Sequence, residues 1–139
     1  MCIRDRNVRT LFATGAARIL VEVLHKARVN LMGLQEVRWH GAGEVKMLDY
    51  TILWSGSPEG SARQSGVGLA VEKRTSSALL SWQPVSERLL IAKFSHTFGI
   101  LVVFVVYALH RMARDIYIKP KNIKNRVETV KESFVLMDM

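Results

Sequence analysis

The chain has one cysteine, Cys2, among 139 residues. A lone thiol makes no internal disulfide, so there is no disulfide partner and no oxidising compartment is implied. A thiolate zinc cluster is excluded on the same ground. Acidic side chains are few: 12 Asp and Glu stand against 20 Lys and Arg, leaving a formal net charge of +8. That balance favours anionic partners such as nucleic acid, phosphorylated small molecules or acidic membrane surfaces, with a solvated basic surface as the plain alternative. A secretory h-region is lacking, because Met1-Cys2-Ile3-Arg4-Asp5-Arg6 is charged and no apolar stretch follows it. The longest apolar run, Ile100 to Leu109, is too short to span a bilayer and reads as a buried strand. The expectation is an intracellular, soluble chain of one domain at most, without a membrane partner and with enough apolar content for a core.

What is present is an α/β pattern. Ala16, Ile19, Leu20, Val23, Leu24 and Ala27 recur at helical spacing, with Arg18, Glu22, His25 and Lys26 mostly on the other side. Thr14 is the expected N-cap, and Gly15 helps the turn. A mostly apolar segment of strand length follows, from Val29 to Val37. Strand, helix, strand is the parallel unit whose ligand groups gather at the carboxyl ends of the strands. Beyond it, short strands with turn punctuation are expected at Tyr50–Trp54, Gly66–Val71, Ala78–Trp82, Leu89–Phe94 and Ile100–Tyr107, with a loop at Ser55–Gly60. No internal repeat appears. From His110 onward basic residues accumulate, Pro120 interrupts the segment, and Asn125 to Leu136 forms at most a short helix with a thin apolar face.

Two short segments carry the chemistry: Asn7-Val8-Arg9-Thr10-Leu11 and Leu34-Gln35-Glu36-Val37-Arg38-Trp39. Each sets a polar, oxygen-bearing side chain at the end of an apolar run, an amide in one case and a carboxylate in the other. Together they suggest a site for a hard cation. Plain readings stand beside this one. Glu36 as a strand-end carboxylate paired with Arg38 is the favoured reading on these residues alone, and Asn7 as a turn cap is the commoner role for Asn. Tyr107 reads equally as a core tyrosine with its hydroxyl at the rim, and Arg88 as a residue that only meets solvent or the neighbourhood of Glu87. Trp39, Trp54 and Trp82 read as packing residues rather than base-stacking platforms. His25 and His40 have no partner spacing that suggests a ligand or a triad.

Four segments in order, Asn7–Leu11, Gly33–Trp39, Gly66-Val67-Gly68-Leu69 and Ser81-Trp82-Gln83-Pro84-Val85-Ser86-Glu87-Arg88, resemble the endonuclease/exonuclease/phosphatase superfamily. The nearest likeness within it is to endonuclease domains of LINE-type retrotransposons and to craniofacial development protein 2-like proteins. The resemblance covers about Asn7 to Ala108. It implies the N-terminal half of a DNase I-like α/β sandwich, a mixed, mostly antiparallel sheet with a crossover helix. It also implies a Mg²⁺-dependent phosphodiesterase that nicks DNA, with a nuclear location and a reverse transcriptase domain as expectations for an intact parent protein. By position, Glu36 matches the family's metal-binding glutamate and Asn7 the asparagine that helps hold metal and scissile phosphate. Tyr107 matches a tyrosine that hydrogen-bonds the phosphate. Arg38 and Arg88 are expected to add phosphate contacts through their guanidinium forks.

The pattern also breaks. Arg4-Asp5-Arg6 is a poor central strand where the family's first strand should run, so residues 1–6 read as a foreign start. Arg9 stands where abasic-site members carry an aspartate, although retrotransposon-like members often have arginine there. After Tyr107 the chain continues Ala108-Leu109-His110 instead of alanine-proline-threonine, and residues 109–139 read as a basic tail unlike the family. No Gly-Asp-Phe-Asn or Ser-Asp-His segment occurs, and Asp115, Asp138 and His110 do not replace them. With half a metal site and no candidate general base, the expectation is a fragment inactive on its own, with an exposed sheet face prone to association. The alternative is a non-catalytic fragment or pseudoenzyme that binds nucleic acid by charge.

Overall fold

The apolar residues alternate along the strands and so divide between two faces, which lets one sheet bury a helix on one side and a second sheet on the other. The computed structural model describes residues 3–7, 15–61, 65–97, 99–107 and 134–138. The elements are β1 (Ile3–Asn7), α1 (Ala16–Lys26), β2 (Leu31–Gln35), β3 (Ala42–Met47), β4 (Tyr50–Ser55), β5 (Val67–Glu72), α2 (Lys73–Ser76), β6 (Leu79–Ser86), β7 (Leu89–His96), β8 (Gly99–Val106) and β9 (Phe134–Asp138). One sheet has the order β1-β2-β5-β4-β3 and the other β6-β7-β8-β9. Among the described strands β1 and β2 alone pair in parallel, across the α1 crossover; the remaining strand pairs are antiparallel. This is an α/β sandwich with a mixed sheet and a crossover helix.

Two apolar layers result. Ala17, Leu20, Val21 and Leu24 of α1 pack on Met32, Leu34, Ile52 and Ala70. Leu31, Leu53, Val67, Leu69 and Val71 face Leu90, Ala92, Phe94, Val103 and Val105 of the second sheet. Burying each large aliphatic side chain contributes about 1.5–3 kcal/mol, so these layers dominate the stability of the described part.

Several elements depart from the sequence reading. The buried stripe of α1 is Ala17, Leu20, Val21 and Leu24. Ile19 is 64% and Val23 47% exposed, so the apolar arc is rotated from the expected one. The apolar residues of this helix cover more than one flank, and the sheet covers only one. Gly15 is the N-cap, with φ of 83° and no side-chain cap; Thr14 lies outside the described residues. The strand β3 falls where the sequence reading expects no strand. It is an edge strand with polar Glu44 and Lys46 turned out and Val45 and Met47 packed on the helix-side core. At Gly43 a Cβ would lie 2.9 Å from the Trp54 ring, so a side chain there would displace that ring. The strand β6 runs past Trp82 through Pro84, which the sheet margin and a register shift between Pro84 and Ser86 accommodate. Arg4-Asp5-Arg6 lies within the edge strand β1, where charged residues are tolerated. Phe134, Val135 and Leu136, expected in a helix, belong to strand β9, as suits aromatic and β-branched residues beside an open strand. The rest of that expected helix, 125–133, lies outside the described residues.

Candidate functional site

Four chain segments are tied together main chain to main chain at one end of the sandwich. The segment after β2 donates from Val37 N to Gly66 O at 3.2 Å and from Arg38 N to Ser65 O at 3.1 Å. Gly66 N donates in turn to Glu87 O at 3.0 Å, and Tyr107 N to Arg88 O at 2.9 Å. Ser55 Oγ adds a bond to Ser86 O at 2.6 Å, again from one sheet to the other. Gly66 is the hub of this set. Its φ is +122°, and a Cβ would meet Val37 Cγ2 at 2.8 Å, so no other residue fits without displacement.

On this frame stand the side chains. Tyr107 donates its hydroxyl hydrogen to Glu36 Oε1 at 2.8 Å. Arg38 Nη2 lies 3.8 Å from Glu36 Oε2, a loose pair, since the Arg38 side chain is 40% exposed and that of Glu36 18%. The Arg88 guanidinium sits over the Tyr107 ring, 5.8 Å from its centroid, within cation–π range. Glu36 and Arg38 both have left-handed backbone, φ of 55° and 58°, on either side of the fully buried Val37. For non-glycine residues this costs about 1–2 kcal/mol each. Such conformations persist where surrounding bonds impose them, and they concentrate at functional sites.

Electrostatics follow from these contacts. The Tyr107 hydroxyl is pushed above its ordinary value of 10.0, first by the hydrogen bond to Glu36, then by burial and by the Glu36 charge; Arg88 and Arg38 oppose the rise. Tyr107 therefore stays a donor at neutral pH. On residues that adjoin this pair in sequence or by the contacts above, three nitrogens are buried without a hydrogen-bond partner: Gln35 Nε2, Arg38 Nε and Arg88 Nη1. All three are donors, and an unmet buried donor costs about 1–3 kcal/mol.

Of the residues expected from sequence, Glu36, Arg38, Arg88 and Tyr107 come together. Asn7 ends β1 with its Cα opposite Gln35, one residue before Glu36, so its backbone reaches the same sheet edge. Residues 8–14 lie outside the described ones. The residue that sequence reasoning missed is Gln35, 6% exposed. An amide inside an otherwise apolar strand was the available signal. Trp39 and Trp54 meet edge to face at 5.1 Å, and Trp54 Nε1 donates to His40 O at 3.2 Å, so these two indoles are packing residues. Among the described residues no group of three or more His, Cys, Asp or Glu converges. A cation at this edge would thus have Glu36 as its one carboxylate among them. That donor set fits Mg²⁺, which binds through one or two carboxylates, keeps waters and takes up substrate phosphate. Among the described residues no helix is long and apolar enough to cross a membrane.

Fold and site together define the class: an α/β sandwich carrying a carboxylate–tyrosine–guanidinium cluster at one end. The chain is similar to craniofacial development protein 2 of Bos taurus, 29% identical over 107 residues, which are 77% of this chain and 18% of that protein. It is similar also to craniofacial development protein 2 of Tragulus javanicus, 28% identical over the same length and shares. The chain thus spans under a fifth of the length of these curated relatives. No protein-family model matches it.

Proposed function

We propose that the Glu36–Tyr107 edge is the metal- and phosphate-holding part of a Mg²⁺-dependent phosphodiesterase site of the endonuclease/exonuclease/phosphatase type, with DNA as the polymer. The retrotransposon-type reading rests on the wording of Asn7–Leu11 and Leu34–Trp39. The observation that supports the proposal is the Glu36 carboxylate oriented by the Tyr107 hydroxyl, with the Arg38 guanidinium beside it and that of Arg88 over the Tyr107 ring. Glu36 and Asn7 would hold the ion, which when bound supplies charge neutralisation at a phosphate oxygen. Tyr107 fixes the Glu36 carboxylate by its hydrogen bond, as outer partners of metal ligands do. Arg38 and Arg88 present guanidinium donors to phosphate oxygens. No residue here is assigned to activate water, so the activity proposed for these 139 residues is binding rather than turnover.

The test is anisotropy of a labelled DNA duplex at about 0.15 M ionic strength, where exposed charges are screened beyond about 8 Å. Binding is expected to be tighter in Mg²⁺ than in EDTA, and Glu36→Ala to abolish the difference. Tyr107→Phe is expected to raise the Mg²⁺ concentration needed for the tighter binding by about 10–100-fold. Equal retention in Mg²⁺ and EDTA, indifferent to Glu36→Ala, would instead establish binding by charge alone.

A further inference from the structure

The β6–β7 turn meets three other chain segments with three consecutive carbonyls. Ser86 O accepts from Ser55 Oγ at 2.6 Å. Glu87 O accepts from Gly66 N at 3.0 Å, and Arg88 O from Tyr107 N at 2.9 Å. Ser55 ends β4 and Gly66 immediately precedes β5, both in the five-stranded sheet, whereas Tyr107 immediately follows β8 in the other. One turn thus grips both sheets at the end where Glu36 lies. Gly66 O in turn accepts from the amide of Val37, the neighbour of Glu36, at 3.2 Å. A run of main-chain bonds therefore leads from Tyr107 through Arg88, Glu87 and Gly66 to Val37. The Tyr107 hydroxyl closes the ring on Glu36 Oε1.

The shape of this turn is not set by its own backbone. A two-residue hairpin loop favours positive φ at its first residue or at both, because that twist matches the flanking strands. Among the described non-glycine residues positive φ is confined to Arg28, Glu36, Arg38 and Leu48, so Glu87 and Arg88 lack it. A register shift between Pro84 and Ser86 also disrupts the pairing just before the turn. What holds the turn instead is Ser86, whose Oγ accepts from Arg88 N at 3.1 Å. A hydroxyl bonded to the amide two residues on substitutes for a backbone bond of the turn.

Arg88 couples the turn to the site twice over. Its carbonyl holds the Tyr107 amide, and its guanidinium sits over the Tyr107 ring, 5.8 Å from the centroid. A change of the turn would therefore shift Tyr107 against Glu36 and move Arg88 itself. The 2.8 Å bond between Tyr107 and Glu36 depends on alignment, since hydrogen bonds weaken steeply as they bend. We propose that Ser86 is a positioning residue for the Glu36–Tyr107 edge: its hydroxyl sets the β6–β7 turn, and the carbonyls of the turn set Tyr107 against Glu36. The consequence for metal binding rests on the function proposed above; the geometric role of Ser86 does not.

The test compares Ser86→Ala and Ser86→Thr with the unaltered chain; Ser86 is exposed, so neither change disturbs the core. Ser76→Ala is the control, because Ser76 Oγ makes an exposed local bond of similar kind, to Lys73 O at 2.7 Å in α2. Amide hydrogen exchange followed by NMR reads the turn directly. Ser86→Ala is expected to speed exchange at Gly66 and Tyr107 about two- to tenfold, the worth of one net hydrogen bond, and to leave Leu24 of α1 unchanged. In the DNA anisotropy assay it should raise the Mg²⁺ concentration needed for the tighter binding by a similar factor. Ser86→Thr, which keeps the γ-oxygen, should restore both readings, and Ser76→Ala should move neither. Four results would overturn the proposal: unchanged exchange at Gly66 and Tyr107 in Ser86→Ala, equal acceleration at Leu24, an unmoved Mg²⁺ requirement, or Ser86→Thr behaving as Ser86→Ala. If the unaltered chain binds DNA alike with and without Mg²⁺, the metal reading alone fails, and the exchange series still decides the role of Ser86.

Discussion

Glu36 has two unlike partners, a neutral hydroxyl on Oε1 and a distant guanidinium near Oε2. Tyr107 is the one that titrates. Its proton is held more tightly in the folded chain than in the unfolded chain, where the ordinary value is 10.0. The stabilisation is therefore complete below about pH 10 and is lost as pH rises through the higher folded value. Tyr107→Phe should lower stability at neutral pH by about 1.5–3 kcal/mol, the worth of a hydrogen bond to a charged acceptor. It should also flatten the alkaline fall of the urea midpoint; parallel profiles for the two proteins would refute the role of this bond. Arg38 gives a second test at the same scale. Replacing a left-handed arginine by glycine relieves about 1 kcal/mol of backbone strain. Arg38→Gly is thus expected to raise the urea midpoint while weakening DNA binding in Mg²⁺, a stability gained at the expense of the site.

At the scale of elements, the helix offers the sharpest contrast. Leu24 of α1 is 1% exposed and Ile19 64%, although both fall on the apolar pattern of the sequence. Leu24→Ala should cost about 2–5 kcal/mol in a urea titration, whereas Ile19→Ala should stay within about 0.5 kcal/mol. Similar losses for the two would restore the unrotated helix face. The contrast also shows what periodicity conveys. That 16–26 is helical was legible, because the apolar spacing and the turn at Gly15 agree. Which of two overlapping stripes is buried was not, because that depends on what lies beneath. The same holds for β3, where Gly43 and the outward Glu44 and Lys46 conceal an edge strand that exists by pairing with Tyr50–Ser55. Central strands such as β5 and β8 were legible because both of their faces are apolar or nearly so.

For the whole molecule, the net charge of +8 and the placement of the site act on binding in different ways. On the proposed reading, charge sets a salt-dependent attraction to any duplex, with log K falling by about 0.9 per phosphate contact for each tenfold rise in salt. Arg88→Ala should reduce that slope by about one contact and weaken all sequences alike, as a phosphate-directed residue does. The candidate site was readable as a set of short segments, since Glu36, Arg38, Arg88 and Tyr107 are each adjacent to a recognisable motif. Gln35 escaped notice because what marks it is burial, and burial is a property of the assembled sandwich. The hydrogen bond from Tyr107 to Glu36 spans 71 positions of sequence. Contacts of such separation form slowly, since the long intervening loop must close first. During synthesis Glu36 leaves the ribosome long before its hydroxyl partner exists. The order of events is thereby set: α1 and the neighbouring hairpins form early, and the Glu36–Tyr107 edge proposed to hold a metal ion closes only after them.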